Sequence, residues 1–139
     1  MTYKLHWHVI VTHFPISLFG AAFSFQVLHI FWYPECFELS TNVMLVAGAV
    51  SMVPTTLTGW RTWKRSYRGA HAQIFSRKIS IAIGLLVGSI SLSVWRVGFP
   101  GMFPDVSYGI SHWLYLAGNT LIIAGAAAEG YYGGKLNHH

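Results

Sequence analysis

Residues 5–34 read LHWHVIVTHFPISLFGAAFSFQVLHIFWYP and contain no Asp, Glu, Lys or Arg. A membrane-spanning helix needs about 20 consecutive, mostly apolar residues. Three further charge-free stretches follow at residues 39–60, 79–95 and 106–128, and the four stretches together cover 92 of the 139 residues. The sequence therefore predicts an all-α protein, a four-helix transmembrane bundle with antiparallel, up-down-up-down topology.

Prolines, glycines and charged residues set the predicted bounds of these helices. We expect spans at about residues 6–33, 40–60, 70–97 and 107–132 of a single integral membrane domain, residues 1–139. Pro15 and Pro54 lie inside the first and second spans, where a proline removes a helical hydrogen bond and favours a kink. Gly133 and Gly134 are expected to end the last helix.

The composition excludes several classes of protein. Charged residues make up 9% of the chain, against about 25% in soluble domains, which excludes a soluble enzyme domain and a disordered tail. Cys36 is the only cysteine, so no internal disulfide can form. The chain contains no Cys-x-x-Cys-His motif, so any haem would be held non-covalently.

The basic residues predict the orientation in the membrane. With four spans, one face carries both termini and the loop between helices 2 and 3, and eight of the nine Lys and Arg residues lie there: Lys4, Arg61, Lys64, Arg65, Arg68, Arg77, Lys78 and Lys135. Lys and Arg accumulate on the cytoplasmic side, so both termini are predicted to be cytoplasmic. The partner of this basic cluster is expected to be anionic lipid of the bilayer, not nucleic acid.

Histidines are the candidate site residues, because ionisable groups inside a membrane are costly and are usually functional. His13 and His71 lie near the cytoplasmic starts of helices 1 and 3. His29 and His112 lie near the opposite face, at the end of helix 1 and the start of helix 4. Two pairs at two depths are typical of a protein that ligates haem iron with one imidazole from each side. Two haems at these depths could carry electrons across the bilayer.

The spacing of the histidines separates the two pairs. His13 and His29 are 16 residues apart, which places them about 160° apart on an ideal helix. The prediction that His13 and His71 form one ligand pair therefore does not depend on the prediction that His29 and His112 form another. For each histidine, the alternative is a polar side chain that only hydrogen-bonds at the level of the lipid headgroups.

The stretch His8-Val-Ile-Val-Thr-His13-Phe14-Pro15-Ile16 resembles the opening signature of a family of small four-helix prokaryotic membrane proteins of unassigned function. The resemblance extends to Thr58-Gly59-Trp60, to Arg68-Gly-Ala-His71 and weakly to the Gly-rich end of helix 4, although the family's usual proline after the first histidine is replaced by Val9.

The members of this family look like b-type cytochromes of respiratory electron transfer. The resemblance therefore implies that His13 and His71 are haem ligands, with His8 as a substitute ligand. It also implies location in the prokaryotic plasma (inner) membrane, and it does not cover His29 or His112.

We interpret the chain as a membrane-embedded b-type cytochrome, a bis-histidine electron-transfer subunit of a larger redox complex. One haem b is expected between His13 and His71, and His29 and His112 extend the interpretation to a second haem. Redox partner subunits would supply the substrate chemistry, and quinone exchange beside a haem is compatible with this interpretation. The alternatives are a haem-free membrane anchor or assembly subunit, and a small proton or solute transporter that uses Glu129 and His71.

Overall fold

The structure of the protein, a computed structural model, describes residues 7–32, 35–66, 68, 73–103 and 108–137. Within these residues the chain is all-helical, apart from short connecting segments. Four long helices follow one another: α1 (Trp7–Trp32), α2 (Glu35–Ser66), α3 (Gln73–Gly98) and α4 (Ile110–Asn137). One 3₁₀ turn, Pro100–Met102, follows α3.

Helices α1 and α2 pack antiparallel along most of their length. At one end of this pair the Thr41 hydroxyl donates to the Ala22 carbonyl over 3.3 Å, and at the other end the Thr55 hydroxyl donates to the Val11 carbonyl over 3.2 Å. Residue numbers rise along α1 as they fall along α2. The two helices therefore run in opposite directions.

The remaining neighbours are also antiparallel, and glycines allow α4 to approach closely. A Cβ added at Gly118 would lie 2.6 Å from Leu92, and one added at Gly125 would lie 2.9 Å from Leu85. Helix α4 also contacts α1, and α3 also contacts α2, so each helix packs against its two neighbours in a closed ring.

Each helix buries a narrow seam of residues spaced three and four apart, as expected for helices that pack nearly parallel or antiparallel. On α4 the buried residues are His112, Tyr115, Asn119, Ile122, Ala126 and Glu129. The outward faces are apolar, with exposed side chains such as Ile110, Leu121 and Val50. An apolar exterior around a partly polar seam is typical of a bundle that packs in lipid.

Among the residues that the structure describes, three helices are long and apolar enough to cross a membrane, at Ile10–Trp32, Cys36–Arg65 and Gln73–Gly98. This finding indicates a membrane protein. Helix α4 is not one of these three, and it carries the polar residues His112, Asn119 and Glu129. All three of these residues are buried against the other helices, so they add no polar surface to the outside of the bundle.

The structure differs most from the predicted helix bounds at both ends of α2 and at the end of α4. Helix α2 starts at Glu35 and continues to Ser66, although residues 40–60 were the predicted span. The physical reason is the helix dipole, which favours Glu38 in the first turn and Lys64 and Arg65 in the last. Helix α4 continues through Gly133 and Gly134 to Asn137.

A hydrogen bond between helices compensates for the proline in α1. In a regular helix the N–H of residue 15 would donate to the carbonyl of Val11, but Pro15 has no N–H. The Thr55 hydroxyl of α2 donates to that carbonyl instead, and Thr55 is 5% exposed. An unpaired carbonyl is costly at membrane depth, so this contact explains how α1 continues through Pro15.

We expect Thr55→Val to lower the free energy of unfolding by about 1 kcal/mol, because it leaves the Val11 carbonyl without its donor. Thr56→Val is the matched control, since Thr56 is an exposed residue whose hydroxyl donates to the Met52 carbonyl of its own helix. Thermal unfolding in detergent measures both variants. Equal melting temperatures for the two would contradict the role of Thr55.

Candidate functional site

Each of the four helices contributes one polar residue to a cluster at the end where α1 ends and α4 begins. We call His29, Glu38, Arg96 and His112 the polar cluster. His29 and Arg96 lie in the last turns of α1 and α3, whereas Glu38 and His112 lie in the first turns of α2 and α4. The up-down order of the helices is what brings these four residues to one level.

An ion pair lies at the centre of the polar cluster. The Nε atom of Arg96 donates to Oε1 of Glu38 over 2.6 Å, and both side chains are less than one-fifth exposed. The second carboxylate oxygen, Oε2, lies 3.9 Å from Nε2 of His29, and Oε1 lies 3.8 Å from Nε2 of His112. The carboxylate therefore has an imidazole nitrogen within 4 Å of each of its oxygens.

Aromatic side chains cover the polar cluster. The ring centroids of Tyr108 and His112 are 4.6 Å apart. The rings of Phe103 and His112 make an edge-to-face contact, with 5.4 Å between their centroids. The guanidinium of Arg96 lies 4.5 Å from the centroid of Phe103, a cation–π distance. These contacts restrict water around the cluster and strengthen the electrostatic interactions within it.

The structure brings His29 and His112 together, as their predicted depths require. The two ring centroids are 6.3 Å apart, the ring planes differ by 28°, and both residues are buried. His13, by contrast, is exposed. His13 and His29 thus face different sides of α1, in line with the 160° separation expected from their spacing. The role of His29 and His112 as haem ligands stays a prediction.

The arrangement of the polar cluster does not fit a haem between these two rings. A porphyrin fills the plane around its iron, between the two axial imidazoles. In the structure the Glu38 carboxylate lies beside both Nε2 atoms, and the Arg96 side chain is bonded to it. Both side chains would have to leave for a macrocycle to enter, and the ion pair would be lost.

A cavity of about 470 Å³ lies at the opposite end of the four helices. Its lining includes His13 of α1, Trp60 and Trp63 of α2, Phe75 of α3 and Gly133 of α4. Ligand sites are commonly cavities of about 300–1,000 Å³ with apolar and aromatic walls and few polar groups. We call this space the His13 cavity.

An ion pair borders the His13 cavity. The Nζ atom of Lys78 lies 3.4 Å from Oε1 of Glu129, and both side chains are less than 15% exposed. Glu129 thus contacts one of the basic residues at this end of the bundle. The pair places two charges beside a wall of aromatic, aliphatic and glycine residues that also includes several threonines.

Two of the predicted site residues lie outside what the structure describes. His71 falls in the undescribed segment 69–72, just before α3 begins at Gln73. His8 lies in the first turn of α1, but its side chain is not among those described. The convergence of His13 and His71 therefore stays a prediction, and the described residues place His13 beside a cavity.

The partners of the histidines were not predicted from the sequence. Glu38 lies outside the predicted spans, because a charge next to an apolar stretch usually marks a loop, and nothing in the sequence pairs it with Arg96 at the end of the third span. The buried hydrogen bond from Nδ2 of Asn119 to Oε1 of Gln26 was also missed. Helical spacing was the available signal, because Gln26 lies three residues from His29, and Asn119 lies seven residues from His112.

Comparisons with protein-family models, with curated proteins and with solved structures found no match.

We expect Arg96→Met to lower the free energy of unfolding by about 3 kcal/mol, because it leaves the Glu38 carboxylate buried without its cation. Arg77→Met is the matched control, since Arg77 is exposed. Adding Glu38→Gln to Arg96→Met should recover part of the loss. A Tm for Arg96→Met equal to that of Arg77→Met would show that the ion pair does not stabilise the bundle.

Proposed function

We propose that the protein is a membrane-embedded b-type cytochrome, the electron-transfer subunit of a larger respiratory complex. One haem b occupies the His13 cavity, with His13 and His71 as its axial ligands. The observation that carries this proposal is the cavity itself, which borders His13 and lies against the start of α3, shortly after His71.

The walls of the His13 cavity suit a flat apolar macrocycle. Trp60, Trp63 and Phe75 supply aromatic surface, and Gly130 and Gly133 leave room beside α4. Lys78 and Glu129 supply a polar border, and the Lys78 ammonium is a cation that could pair with a carboxylate of the haem edge. When bound, the haem supplies a one-electron redox centre, and the protein contributes the ligands and the apolar environment.

We further propose that α4 is a fourth membrane span and that both termini are cytoplasmic. Helix α4 turns Ile110, Leu114 and Leu121 outward and keeps its polar residues inside the bundle, so its outer surface suits lipid. Four spans place both termini on one face with eight of the nine Lys and Arg residues, which favours the cytoplasmic side of a prokaryotic plasma membrane.

The partners follow from the chemistry of an electron carrier. Redox subunits would supply and remove electrons, and a quinone is the membrane-soluble class of carrier that would suit this location. An apolar layer of the bundle core weighs against the alternative of a proton pathway. Phe19, Leu45, Leu85 and Ile122 are all buried in one apolar cluster between the polar cluster and Glu129.

The haem proposal predicts an absorbance spectrum. Protein purified from haem-replete cells should show a Soret band and, after reduction, an α-band. His13→Ala and His71→Ala should each abolish both bands, because haem iron loses an axial ligand. His29→Ala is the matched control and should keep both bands. A colourless wild-type protein would favour a haem-free membrane anchor.

The orientation predicts how Cys36 reacts. Cys36 is exposed and is the only cysteine of the chain, so a membrane-impermeant maleimide should label it from outside in intact spheroplasts. In the control variant Cys36→Ser/Arg65→Cys, labelling should require lysis, since Arg65 lies at the other end of α2. The reverse pattern would overturn the predicted orientation.

A further inference from the structure

We infer that the polar cluster binds a divalent first-row transition-metal ion through His29, Glu38 and His112. One ligand atom from each of these three residues lies within 4.8 Å of the other two. Two imidazoles and one carboxylate are a donor set that suits zinc, iron and related ions. The inference is independent of the haem proposed for the other end of the bundle.

The distances fit a bare ion better than a haem. Zinc-like ions bind these donors at about 2.1 Å with roughly tetrahedral geometry, which sets the donors about 3.4 Å apart. The carboxylate oxygens now lie 3.9 Å from Nε2 of His29 and 3.8 Å from Nε2 of His112. Small side-chain rotations would close these gaps, whereas a macrocycle would displace Glu38 and Arg96.

The burial of the donor side chains favours the binding of a cation between them. His29 is 7% exposed and His112 is 4% exposed, so neither imidazole is well hydrated. A cation would replace the hydration that these donors lose in the bundle. The three donors come from α1, α2 and α4, so an ion between them would crosslink three helices and oppose their separation.

Arg96 is a positioning residue for this site, not a ligand. Its Nε atom donates to Oε1 of Glu38 and holds the carboxylate between the two imidazoles. Hydrogen bonds to a ligating carboxylate orient it, and their loss commonly reduces metal affinity about 10–100-fold. Glu38 would then bind the ion mainly through Oε2, the oxygen that faces His29.

The test titrates the full chain with Co²⁺ and with Zn²⁺ in detergent. The starting protein carries His138→Ala and His139→Ala, which removes two terminal histidines that could bind metal by themselves. We expect one Co²⁺ per chain, a visible ligand-field absorption band and a higher Tm. X-ray absorption of the Zn²⁺ form should show two imidazole nitrogens bound to the metal.

Substitutions in the polar cluster test whether the metal binds there. His29→Asn and His112→Asn should each weaken Co²⁺ binding at least about 100-fold, and Arg96→Met should weaken it about 10–100-fold. His13→Ala is the control that should keep the metal while losing haem, so failure of the haem proposal and failure of this inference are distinguishable.

Two results would overturn the inference. The first is a starting protein that binds no stoichiometric Co²⁺ or Zn²⁺. The second is metal binding that survives His29→Asn and His112→Asn unchanged. If either variant fails to fold, the X-ray absorption spectrum of the starting protein decides instead, because a metal without two imidazole ligands contradicts the site.

Discussion

The structure depends on one constraint, which is that polar side chains must find partners between the helices because the outside of the bundle is apolar. Hydrocarbon offers no hydrogen bonds, so an exposed polar group there is costly. Helix α4 shows the consequence most clearly. Its polar residues His112, Asn119 and Glu129 share the buried face, while Ile110 and Leu121 lie outside. The same constraint explains why Thr55 of α2 bonds the carbonyl that Pro15 leaves free.

This constraint gathers the ion pairs inside the bundle at two levels, with an apolar layer between them. At one end the Glu38–Arg96 ion pair lies between two imidazoles, and at the other end Lys78 and Glu129 border a cavity. The two levels differ in what they can hold. The first is filled by its own side chains, whereas the second has open space of cofactor size.

Much of the fold was predictable, because apolar runs of 17 to 30 residues leave few alternatives to long helices. The separation of His13 from His29 around α1 follows from helix geometry alone. The ends of α2 were not predictable in this way, since Glu38 lies in its first turn although charges next to an apolar run usually indicate a loop. The partners of His29 were missed for the same reason. Arg96 is 58 residues from Glu38, and only the packing of α2 against α3 brings them together.

We propose that the His13 cavity holds a haem and that the polar cluster does not. The most direct test is the number of haems per chain in the purified wild-type protein, measured as the pyridine haemochrome against protein mass. We predict one. A value of zero would contradict the assignment of the His13 cavity, and a value of two would show that the polar cluster opens to admit a macrocycle.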